Sequence, residues 1–134
     1  MKLSAARVFV RDLAPSLQFY AGLLGLPLKA GGAGQGFLVL DLGGVDLVVE
    51  SVPLDAPADE QILVGRFTGL SFAVQDMLAS HAQLSAVGVR FTGAPELQAW
   101  GGILATFSDP EGNEMQLVQL PGAATPLAST GSGT

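Results

Sequence analysis

One acid in this chain stands where acids are seldom found. Glu50 lies in the apolar run Leu47-Val48-Val49-Glu50-Ser51-Val52. Strand alternation puts it on the face of Val48 and Val52, opposite Val49 and Ser51. If that face lines a cleft, desolvation raises the Glu50 pKa unless a cation pairs with it. The chemistry open to it is that of a ligand anchor or a general base. The alternative is an acid paired across the sheet with Arg7 or Arg66. Arg7 has two readings of its own: it binds a carboxylate ligand, or it only neutralises Glu50.

Other chemistries are excluded by what is missing. The chain has no Cys, hence no disulfide, thiol nucleophile or thiolate metal site. Its only histidine, His81, falls in the middle of a helix-like run and reads as a solvated or partly buried helix residue. Gly31-Gly32-Ala33-Gly34-Gln35-Gly36 is glycine-rich, but a strand follows it rather than a helix, so the phosphate-loop reading lacks its context. No nucleophile–base pair and no dinucleotide fingerprint is present.

The elements that position these residues come in two copies. Val8-Phe9-Val10-Arg11-Asp12-Leu13, a helix-like run and Gly25-Leu26-Pro27-Leu28 form the first opening. Phe72-Ala73-Val74-Gln75-Asp76-Met77, a helix-like run and Gly88-Val89-Arg90-Phe91 form the second. Two strand-like runs follow each. A β-α-β-β-β unit used twice is an α+β architecture. The first strand is expected at about 5–11, and Ser71 lies on the matching strand at about 69–75.

Asp12 and Asp76 cap the helices. Leu13, Leu17, Tyr20 and Leu24 are the expected inner stripe of the first helix, and Leu78, Ala82, Leu84 or Ser85, and Val87 that of the second. A short edge strand at 27–30 and a hairpin of 37–42 with 45–52 across Gly43-Gly44 complete module one, about 3–53. A linker follows at 54–65, then module two at about 66–120 with strands near 89–92, 102–107 and 114–120. Asp109-Pro110-Glu111-Gly112-Asn113 is a turn. The tail 121–134, rich in Ala, Gly, Ser and Thr, reads as a flexible terminus.

The 134 residues suffice for one compact domain, and 49% apolar against 13% charged residues leaves a thinly solvated surface that suits a homodimer. The formal charge of −6 and the absence of a Lys/Arg cluster argue against nucleic acid. That charge favours a cationic ligand, or simply serves solubility. No apolar run approaches a membrane span, and no signal-peptide pattern opens the chain, so the default is a cytoplasmic protein.

Val10-Arg11-Asp12-Leu13, Phe19-Tyr20, Leu24-Gly25-Leu26, Trp100-Gly101-Gly102 and Phe107-Ser108-Asp109-Pro110-Glu111-Gly112-Asn113-Glu114-Met115-Gln116-Leu117 together resemble the vicinal oxygen chelate superfamily. That family includes glyoxalase I, fosfomycin-resistance proteins, extradiol dioxygenases and bleomycin-resistance proteins. The resemblance covers about 3–120. It implies two tandem βαβββ modules whose curved mixed sheets enclose a cleft, and frequent dimers.

In metal-using members it implies a His on each module's first strand and a Glu on its last. Here the first-strand positions fall at Ala5, or at Ser4, Ala6 or Arg7 if the register slips, and at Leu70, with Gly69 and Ser71 beside it; the last-strand positions fall at Glu50 and Gln116. One carboxylate and one amide do not make a tight Zn²⁺, Fe²⁺ or Mn²⁺ site. No metal and no cofactor is therefore expected. By position in this fold Gln116 becomes the pseudo-symmetric partner of Glu50. Trp100 falls on a loop at the cleft mouth, to stack on a flat ligand or to serve the loop's structure.

The expected function is metal-independent binding of a small organic molecule, resembling antibiotic sequestration, with Arg7, Glu50, Ser71, Trp100 and Gln116 as ligand-binding residues. The alternatives are a glyoxalase- or dioxygenase-like metalloenzyme with a degenerate site, and a metal-free enzyme using Glu50 as its base.

Overall fold

A computed structural model describes residues 1–123; most of the tail expected at 121–134 lies outside the described residues. The described residues divide into two units, 1–68 with 109–113, and 69–108 with 114–123.

In the first unit, β1 (Ala5–Val10), β2 (Leu28–Gly32), β3 (Phe37–Asp41) and β4 (Asp46–Ser51) form a sheet of order β1-β4-β3-β2. The β1/β4 pair is parallel and the others are antiparallel. Helix α1 (Leu13–Leu17) is capped by the Asp12 carboxylate, which accepts from the Ala14 N–H at 3.1 Å. It runs on as a π-helical turn, Gln18–Leu23, where the Leu24 N–H reaches back five residues to the Phe19 carbonyl at 2.9 Å.

That wider turn brings both Phe19 and Tyr20 onto the core side, their rings edge-to-face at 4.9 Å between centroids. The buried stripe is accordingly Leu13, Ser16, Phe19 and Tyr20; Leu17 and Leu24 are only half-buried. It meets Val8, Val10, Leu38, Leu40, Leu47 and Val49 from the sheet's inner face. Each fully buried aliphatic chain there contributes ~1.5–3 kcal/mol. A short helix, α2 (Ala58–Gln61), breaks the segment expected to be a plain linker.

The second unit holds most of β5 (Phe67–Ala73), with α3 (Met77–Ala86), β6 (Arg90–Phe91), β7 (Glu96–Leu97), β8 (Ile103–Ser108) and β9 (Glu114–Gln119). The strand order is β5-β9-β8-β6, with the unforeseen β7 also on β8. Asp76 caps α3 through the Ala79 N–H at 3.1 Å.

The α3 stripe differs from expectation by one residue. Met77 is buried and Ser80, His81 and Leu84 are half-buried, whereas Leu78 and Val87 stand 72% and 53% exposed. The helix is rich in small residues that fit either face, so the apolar Met77 in its first turn sets the phase. Ala105, Phe107, Met115 and Leu117 form this unit's core with Met77 and Val89. No helix among the described residues is long and apolar enough to cross a membrane.

Candidate functional site

The first sheet's outer face is built by register. Phe9 and Phe37 both lie opposite Glu50, one on each side, and Arg7 and Val39 both lie opposite Val48. Glu50 is therefore the middle of an aromatic–acid–aromatic row. The Arg7 guanidinium grips it with both forks: Nε donates to Oε2, and Nη2 donates to Oε1 at 3.0 Å. The guanidinium carbon also sits 5.1 Å from the centroid of the Phe9 ring. Glu50 raises the Arg7 pKa above its ordinary value, mainly through the hydrogen bond and then through Coulomb attraction. Of the two cations the sequence offered as partners for Glu50, the pair forms with Arg7.

The remaining residues singled out by sequence belong to the second unit. Gln116 lies opposite Thr106 and donates from Nε2 to its hydroxyl at 3.3 Å. Ser71 is on β5, on the exposed side of the alternation. Trp100 is half exposed, and its six-membered ring packs against Gly102, where a Cβ would meet the ring at 2.0 Å. Gly102 is thus the glycine that seats the tryptophan. His81 stays a helix residue: Nε2 lies 3.3 Å from the Gly93 carbonyl and the ring packs at a tilt of 47° against Phe91.

The expected equivalence of Glu50 and Gln116 is corrected by register. Asp41 and Asp46 close the β3–β4 hairpin, and Ser108 and Glu114 close that of β8–β9. Glu50 stands four residues beyond Asp46, and Gln116 only two beyond Glu114. The burial of Leu47 and Val49 matches that of Met115 and Leu117. Gln116 is therefore the counterpart of Val48, and Val118 that of Glu50. The Asp109–Asn113 loop has five residues, against four in the other hairpin.

That loop is also far more than a turn. Asp109 and Asn113 are fully buried and bond each other. The Asp109 carboxylate accepts from the Tyr20 hydroxyl at 2.7 Å, from the Glu111 and Asn113 N–H groups at 2.8 and 2.9 Å, and from Asn113 Nδ2 at 2.9 Å. Asn113 Oδ1 accepts from the Gly65 and Arg66 N–H groups, and its Nδ2 donates to the Phe9 carbonyl at 2.9 Å. Burial, then the adjacent Asp109 charge and hydrogen bond, drive the Tyr20 pKa far up. Glu111 in turn accepts from the Asp12 N–H at 2.7 Å, capping the start of α1 from a distant part of the chain.

The loop so fastened, together with β1, lines a pocket of about 140 Å³ bounded by Arg7, Arg66, Phe67, Thr68 and Asn113. Sequence reading weighed Arg66 only as a mate for Glu50 and gave Asn113 no role beyond the turn; the signal for Asn113 was its place in Asp-Pro-Glu-Gly-Asn.

At the positions that the resemblance implied for a metal, the side chains do not make a donor set. Ala5 and Leu70 have no ligating atom, Gln116 offers an amide, and Glu50 is held by Arg7. Among the described residues no three His, Cys, Asp or Glu side chains gather as a possible metal site.

The Glyoxalase/Bleomycin resistance protein/Dioxygenase superfamily profile matches residues 2–117, and the chain belongs to that superfamily. No curated protein matches it. Among solved structures, it is similar to a member of the superfamily from Sphaerobacter thermophilus, at 28% identity and a TM-score of 0.73, covering 90% of this chain and 98% of that one. It is also similar to TnmS3, an antibiotic binding protein from a Streptomyces species, at 29% identity and a TM-score of 0.69, covering 89% and 95%. A lactoylglutathione lyase from Agrobacterium tumefaciens shares the fold at 14% identity, with a TM-score of 0.69 and coverage of 87% and 92%.

Proposed function

We propose that this protein binds a small organic molecule non-covalently and without a metal. In this reading Arg7 and Glu50, on the outer face of the first unit's sheet, hold the ligand, and Ser71, Trp100 and Gln116 are proposed as ligand-binding residues of the second unit. The observation that carries it is the row Phe9–Glu50–Phe37 with Arg7 on the acid. Two rings offer a flat apolar ligand its contact area. The half-exposed ion pair offers both signs of charge to a ligand's polar edge. The formal charge of −6 favours a cationic ligand, which Glu50 would meet. The likeness to an antibiotic binding protein over most of both chains supports the same class of ligand. A homodimer is part of the proposal, tested by native mass.

The alternative of Glu50 as a general base is disfavoured by geometry. Both its oxygens are engaged by Arg7, so the pair must open before a substrate proton is taken.

The test is a calorimetric titration with planar, cationic aromatic antibiotics and, separately, with bleomycin. Saturable binding is expected, weakened about tenfold, or about 1.4 kcal/mol, in Glu50→Gln. Binding of no compound in the panel, or binding indifferent to both Glu50→Gln and Trp100→Ala, contradicts the reading.

A further inference from the structure

The pocket beside β1 shares Arg7 and Phe9 with the proposed ligand face and adds a second cation, Arg66. Two of the chain's six basic residues, Arg7 and Arg66, converge on it, in a protein that carries twelve acids. No Asp or Glu is among its lining residues. The acids nearest in the chain's bonding are already occupied. Glu50 is bound to Arg7, Asp109 to Tyr20 and Asn113, and Glu111 to the Asp12 N–H.

Arg66 forms no ion pair among the described residues. Its backbone N–H and that of Gly65 are fixed by Asn113 Oδ1, so the segment bearing the guanidinium is anchored. Arg7 spends two of its five N–H donors on Glu50 and keeps the rest. Asn113 has both amide atoms engaged and serves as wall rather than donor. Phe67 closes one side as an exposed apolar ring.

The volume, about 140 Å³, falls short of the ~300–1,000 Å³ that drug-sized ligands take. It suits a single oxyanion head. We infer that this pocket is an anion site, taking a phosphate or carboxylate group between the Arg7 and Arg66 guanidinium forks. Planar five-donor forks are the side chains that match such anions in pairs of hydrogen bonds. The site shares Arg7 with the organic-ligand reading but does not rest on it, since an inorganic probe tests it alone. Glu50 acts on it as a built-in competitor for Arg7.

The experiment is an NMR titration of the full chain with inorganic phosphate, and separately with acetate, at constant ionic strength. It follows the arginine side-chain N–H signals and the amides of 63–68. Saturable shifts at Arg66 and Arg7 are expected with at least one probe, and which of the two binds more tightly names the preferred head group. Arg66→Ala is expected to weaken binding at least about tenfold, the loss of a charge-assisted contact. Glu50→Gln, by freeing Arg7, is expected to tighten it about threefold or more. Arg90 is not among the lining residues, and Arg90→Ala, which makes the same charge change, is expected to leave the constant unchanged. No saturable shift with either anion overturns the inference. So does Arg66→Ala binding as tightly as the native chain, or Arg90→Ala weakening it equally. Failure of every antibiotic to bind, with phosphate still saturating, would overturn the organic-ligand reading and leave this one standing.

Discussion

At the scale of single residues, the Tyr20–Asp109 contact separates structure from chemistry most sharply. Tyr20 is the only tyrosine, so its phenolate absorbance reports this one site. Its pKa is raised in the folded state, with burial as the main cause. The stabilising effect is therefore complete below the unfolded tyrosine value of about 10 and is lost as pH climbs above it. Phenolate absorbance is expected to appear only as the protein unfolds in alkali, and the slope of stability against pH above about 10 is expected to shrink in Tyr20→Phe. Phenolate forming in the still-folded protein near pH 10 would contradict this. At neutral pH, Tyr20→Phe takes a donor from a buried carboxylate, and an expected loss of about 1–3 kcal/mol is measurable by urea unfolding. Arg7 and Glu50 were legible as partners because a strand acid needs a cation. The Arg66 pocket was not legible, because only the folded loop brings residues 7, 66 and 113 together.

Among the elements, the sequence placed both helices and their caps because Asp12 and Asp76 combine cap chemistry with an apolar stripe. It missed the phase of α3, since small residues leave the periodicity weak, and it missed the π-helical turn, which no local composition announces. The Asp109–Asn113 loop read as a generic turn because its four-way hydrogen bonding depends on residues far away in the chain. Asn113→Ala removes these buried bonds and is expected to destabilise the protein by about 3 kcal/mol, with faster amide exchange at Gly65 and Arg66 as its signature. The β2 strand carries a separate constraint. Gly31 has a φ of +86°, and a Cβ there would lie 2.2 Å from the Phe37 carbonyl oxygen. Gly31→Ala is expected to cost about 2 kcal/mol or more, against little effect for Gly34→Ala, where nothing lies within 4 Å. Equal unfolding midpoints for the two variants would refute the close approach.

For the whole molecule, the duplicated β-α-β-β-β plan was the most legible feature, because two capped helices each followed by a hairpin repeat one hydrophobic pattern. Function was less legible, since a fold shared with both an antibiotic binding protein and a lyase does not choose between them. What favours the metal-free reading is the donor set, with alanine, leucine and glutamine at three of the four positions where the family resemblance implied metal ligands. The most direct measurement is therefore metal content by elemental analysis on untagged protein, before and after chelation, with ligand titration on both samples. The account predicts no stoichiometric divalent ion and the same dissociation constant before and after chelation. One tightly held ion per chain, with binding or turnover that vanishes on chelation and returns on reloading, would contradict it.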